Sequence, residues 1–78
     1  MKKTWKYAIV IEKGENGYSA YPPDLPGCGA AAETLEEVER LIREAIEFHI
    51  EGLRLHGESA PEPTSLCEYV EIGVPQPH

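Results

Sequence analysis

The sequence predicts a two-layer α+β fold of order β-β-β-α-β, in which an antiparallel three-stranded meander is followed by one helix and a final strand. Three observations predict it. Residues 5–12 alternate in an aromatic and β-branched run that leads into a glycine-bearing turn; a capped amphipathic stretch begins at Leu35; and residues 66–74 alternate again.

In the first strand Trp5, Tyr7, Ile9 and Ile11 face one way and Lys6, Ala8, Val10 and Glu12 the other. Lys13-Gly14-Glu15-Asn16-Gly17 follows, and its two glycines and asparagine tolerate the positive φ angles of a short hairpin loop. Tyr18 to Tyr21 returns as the second strand. Pro22-Pro23-Asp24-Leu25-Pro26-Gly27-Cys28-Gly29 cannot extend it, because proline has no ladder N–H and holds the residue before it extended. That stretch is a rigid, shaped loop. A short third strand fits within residues 28–33, in the little room left before the helix.

Thr34-Leu35-Glu36-Glu37 reads as a capping box, and the helix it opens runs to about His56, with Gly57 as the residue that ends it and Pro61 and Pro63 beyond. Glu36 with Arg40, and Glu39 with Arg43, stand in the favourable i,i+4 order. The apolar positions from Leu35 to Leu55 cover an arc of roughly 200°, about twice what one sheet face buries. Gly52 lies inside that arc, where glycine is costly unless another backbone comes close. A second copy of the chain is the simplest occupant, over Leu41, Ala45, Phe48, Gly52 and Leu55; the competing reading closes the arc with the Pro61–Pro63 loop and the tail folded back. In the last strand Leu66, Glu68, Val70 and Ile72 share one face and Cys67, Tyr69 and Glu71 the other. The domain spans residues 1–74, and 75–78 form a disordered polar tail.

Seventy-eight residues make one domain, and one this small buries only about 60% of its unfolded surface, so its core is marginal unless a metal, disulfides or self-association adds to it. Cys28 and Cys67 form no CxxC pair, and Met1-Lys2-Lys3-Thr4-Trp5-Lys6 begins no secretory signal, so two reduced thiols in a cytoplasmic protein are expected. Self-association is the stabiliser that remains. No apolar stretch approaches the roughly 20 residues of a membrane span. Fourteen acidic against seven basic side chains give a net charge of -7, which opposes direct nucleic-acid binding and favours attraction to a basic protein.

Gly17-Tyr18-Ser19-Ala20, then Pro23-Asp24-Leu25-Pro26-Gly27-Cys28, Thr34 with Glu37, and Gly57 with Pro61 and Pro63 resemble the HicB-type antitoxin family from Tyr7 to about Val74. The Pro-Asp-Leu-Pro-Gly-Cys stretch after a Gly-Tyr hairpin is the most specific element. The resemblance implies a domain like half of an RNase H fold, assembling as dimers or tetramers. It also implies a partner, a small basic HicA-type mRNA interferase that the antitoxin neutralises by covering its catalytic surface. Two departures stand out. Many members continue into a helix-turn-helix or ribbon-helix-helix segment that binds the operator, whereas this sequence reads to His78 without one, which leaves operator binding open. Ala30-Ala31-Ala32 also stands where the family tends to carry a glycine.

Within the proline-rich loop, Pro23, Asp24, Leu25, Pro26, Gly27 and Cys28 form the candidate partner-binding set: Asp24 as an exposed acceptor on a rigid platform and Leu25 as an anchor. The plainer reading has the prolines turning a corner while Leu25 plugs the core. A metal-dependent nuclease, the remote alternative, needs converging carboxylates. Of the candidates, Glu68 and Glu71 point to opposite faces, Glu12 sits at the hairpin edge and Asp24 is on the loop, so neither catalysis nor a cofactor is expected. His49 and His56 are two helical turns apart, about 10 Å, too far to share one metal, and no Cys–His–acid spacing makes Cys28 a nucleophile. The exposed run Glu36, Glu37, Glu39, Glu44, Glu47 and Glu51 reads either as a solvated face or as a surface that steers a basic toxin. A stand-alone oligomeric module with another partner is the second functional reading.

Overall fold

The hairpin sets the geometry of the sheet. In the structure, a computed structural model that describes residues 4–76, β1 (Val10–Gly14) and β2 (Gly17–Tyr21) pair antiparallel, with Ile11 opposite Ala20 and Gly14 opposite Gly17. Only Glu15 and Asn16 lie between them. Gly17 takes φ +149°, and a Cβ there would stand 2.3 Å from the Ala32 carbonyl oxygen, so glycine lets β3 (Ala30–Ala32) close against β2. The sheet order is β1-β2-β3, with Ala20 opposite Ala30 and Tyr18 opposite Ala32.

The first ladder begins at Val10 rather than Trp5. Val10 pairs with Tyr21, and the next position on that side is Pro22, which has no N–H to offer. Residues 4–9 therefore lead into the sheet from outside the ladder.

The helix α1 (Leu35–Leu55) opens on Thr34, whose hydroxyl accepts the Glu37 amide at 3.1 Å. It closes in a Schellman turn: Gly57 at φ +73° donates its N–H to Arg54, and Glu58 donates to Leu53 at 2.8 Å. The exposed Arg40 turns to Glu44 rather than Glu36, and Arg54 pairs with Glu51; these solvated side chains reach along the helix in either direction. Val38 and Ile42 sink into the sheet against Ala20, with Ile9, Ile11, Tyr18, Ala30 and Ala32 around them. The alanines of β2 and β3 leave room for the helix to come close. Leu25, 1% exposed, and Pro22 complete the buried set from the loop.

The α+β class stands, but the strand expected at residues 66–74 does not form. That segment carries no strand pairing and is exposed throughout. Alternation prepares a strand, but only ladder bonds to a neighbour make one, and residues 66–74 form none among the described residues. The expected tail at 75–78 lies partly outside the described residues, as do Met1 to Lys3 of the expected leader-free start. Among the described residues no helix is long and apolar enough to cross a membrane, and Cys28 and Cys67 are unbridged.

Candidate functional site

The proline-rich loop is built from two successive turns. Leu25 donates its N–H to the Pro22 carbonyl at 3.1 Å, and Cys28 donates to that of Leu25 at 3.3 Å. In the second turn Pro26 supplies the fixed φ and Gly27 the positive one, +84°. The loop thus drives Leu25 inward and leaves Pro23, Pro26 and Gly27 on the surface, with Cys28 half-buried. Burial pushes the Cys28 thiol above its ordinary pKa, which keeps it neutral.

Asp24 is not the free acceptor that its position in the sequence suggests. One carboxylate oxygen accepts the backbone N–H groups of Thr64 and Ser65, each at 2.9 Å, and the other accepts their hydroxyls at 3.1 and 2.9 Å. These bonds, led by the Ser65 amide, lower its pKa from 3.8 to about 2. Beside it the Tyr7 hydroxyl donates to the Pro61 carbonyl. Burial first, then the charges of Asp24 and Glu62, raise the pKa of Tyr7. Tyr7 and Asp24 together hold residues 61–65 across the loop. Two adjacent hydroxyl residues just after Pro63 are the sequence signal for that latch; what the sequence does not state is which carboxylate they meet.

Because the latch carries residues 61–65 towards Tyr7 and Asp24, they do not close over the outer shoulder of α1. Phe48 is 83% exposed and Leu55 71%, Leu41 and Ala45 are half-buried, and nothing lies within 4 Å of a Cβ built on Gly52. The acidic side chains Glu36, Glu37, Glu39, Glu44, Glu47 and Glu51 are all exposed. On the opposite flank of the helix a groove of about 910 Å³ runs between residues 4–9 and α1, lined by Trp5, Ile9, Ile46 and Ile50 with Lys6 and Arg43. Nothing in the alternation of residues 5–12 announced this groove, because it arises where the ladder stops short at Val10.

The candidate carboxylates are dispersed. Glu12 is exposed on β1, Asp24 is engaged in the latch, and Glu68 and Glu71 stand on the exposed segment; among the described residues no three His, Cys, Asp or Glu side chains are placed to hold a metal. The His56 ring turns back on the helix, with Nδ1 2.8 Å from the Gly52 carbonyl, and His49 is half-buried.

Comparison with known proteins bears on what such a surface serves. A protein of Haemophilus phage HP1, described as an uncharacterized 14.9 kDa protein in the rep-hol intergenic region, is 42% identical over 64 residues; the match takes in 82% of this chain but 48% of that protein, so this chain spans about half its length. A UPF0150 protein of Synechocystis sp. is 37% identical over 72 residues, 91% of each chain. Among solved structures, a chain of a HicA3 and HicB3 toxin-antitoxin complex superposes with a TM-score of 0.66 at 35% identity, covering 76% of this chain and 70% of the other. The family described as HicB_like antitoxin of bacterial toxin-antitoxin system matches residues 7–73, from the tyrosine of the latch to the end of the exposed segment, and the chain belongs to it.

Proposed function

We propose that this protein is a non-enzymatic antitoxin module that binds and neutralises a small basic mRNA interferase of the HicA type. The observation that carries the reading is its likeness, in both sequence and fold, to a chain from a HicA3–HicB3 complex. The net charge of -7 supports it, as does the exposed acidic side of α1, a field that would draw a basic partner and raise its association rate. Pro23, Pro26 and Gly27 present a rigid surface for contact, while Asp24, Leu25 and Cys28 act from behind by fixing its shape. The open shoulder formed by Leu41, Ala45, Phe48, Gly52 and Leu55 serves self-association, where Gly52 admits a second helix.

The test is to purify the chain with a HicA-type toxin from the same genome and measure RNA cleavage. Stoichiometric suppression of cleavage is the expected result, weakened by Glu44→Lys with Glu51→Lys and by raised salt. Full cleavage in the presence of excess chain, with no complex on gel filtration, would overturn the reading. Self-association through α1 is checked separately by sedimentation of Phe48→Glu, which is expected to lower the mass.

A further inference from the structure

Residues 66–74 carry a strand pattern without a sheet. Leu66 is 90% exposed, Tyr69 98% and Ile72 72%. Soluble monomers rarely leave such a run of apolar side chains in water. The segment leaves the body at Cys67, whose thiol lies 3.9 Å from the Ile9 carbonyl oxygen, and then forms no ladder with its own sheet. The molecule measures 59 Å along its longest axis against 26 and 23 Å across.

The same molecule has the complementary vacancy. Residues 5–9 run outside the ladder on the β1 side of the sheet, and the groove between them and α1 has an isoleucine floor. Such an edge is a template for strand addition. The groove carries both signs, Lys6 and Arg43 with Glu39 and Glu47, so the mostly apolar face of the segment, with its single acid Glu68, meets no net opposing charge there.

We propose that two copies exchange this arm, residues 66–74 of each pairing along residues 5–9 of the other and laying Leu66, Val70, Ile72 and Val74 over its groove. Since one chain supplies both the strand and the edge, a two-fold axis satisfies both arms at once and the assembly closes. Burying these side chains in both arms removes on the order of 1,000 Å² from water, the size at which stable interfaces begin. The groove and the Phe48 shoulder lie on opposite flanks of α1, so the two contacts are separable. The exchange requires no toxin and stands apart from the neutralisation reading.

The experiment uses the chain alone. Sedimentation of the wild type against Val70→Asp with Ile72→Asp, and against Ile50→Asp on the groove side, is expected to show the mass halved in both variants with the helical circular dichroism retained. A mixture of isotopically labelled and unlabelled wild-type chains is expected to give nuclear Overhauser contacts between the arm of one copy and Tyr7 and Ile46 of the other. A wild type that sediments at 8.7 kDa, variants of unchanged mass, or arm contacts confined to a single copy would each overturn the proposal. Arm protection that develops only when toxin is added would overturn it as well, by assigning the arm to that partner.

Discussion

Gly17, Gly27 and Gly57 all carry positive φ, yet only Gly17 also lacks space, with the Ala32 carbonyl oxygen 2.3 Å from where a Cβ would sit. Gly27→Ala and Gly57→Ala meet backbone strain alone, and each is expected to lower stability by about 1 kcal/mol. Gly17→Ala adds a collision with a backbone atom that cannot move without parting β2 from β3, so a loss of ~3 kcal/mol is expected, read by urea denaturation of the three variants side by side. Asp24 makes a different prediction. Its folded pKa of about 2 lies below the ordinary 3.8, so the latch on Thr64 and Ser65 is whole above pH 3.8 and is lost as pH falls through about 2. The amide resonances of Thr64 and Ser65, followed by NMR, should titrate together over that window, and Asp24→Asn should remove the transition.

At the scale of elements, what the sequence revealed depended on how local its causes were. Both ends of α1 were legible, because Thr34 caps an amide three residues on and Gly57 ends the helix through bonds to its own last turn. Thr34→Ala is therefore expected to cost about 1 kcal/mol, measured by thermal or urea unfolding. The hairpin was legible for the same reason. The destination of Asp24 was not: its partners are 40 and 41 residues away, and no spacing rule names which hydroxyl pair a carboxylate will meet. Leu25 reads from the sequence either as an anchor or as a core plug; the structure buries it, and Pro23, Pro26 and Gly27 are what the loop leaves on the surface. At residues 66–74 the period-2 pattern was readable and its pairing was not, since alternation states which side chains share a face but not what lies beside them.

For the whole molecule, the radius of gyration of 15.7 Å exceeds the about 11–12 Å expected of a compact chain this long. Among the described residues the buried apolar core is thin, formed by Ala20, Leu25, Val38 and Ile42, and a domain of this length has about 4–12 kcal/mol of stability in total. Ile42→Ala, at a position 2% exposed, is expected to remove 2–5 kcal/mol, roughly half of that range. Phe48→Ala, at an exposed position, should scarcely change the stability of a single copy. A core this thin makes assembly part of the folding equilibrium rather than an addition to it. If two copies fold together, each tenfold rise in protein concentration stabilises the dimer by about 1.4 kcal/mol. That raises the thermal midpoint by about 3–5 °C for an assembly of this size. The wild type should show that slope between micromolar and millimolar concentration, and Val70→Asp with Ile72→Asp should flatten it in a chain that also carries Phe48→Glu, which removes the separate shoulder contact. A midpoint independent of concentration in the wild type would mean that this thin core carries the fold unaided, and the exposed arm would then have no part in the stability of the free protein.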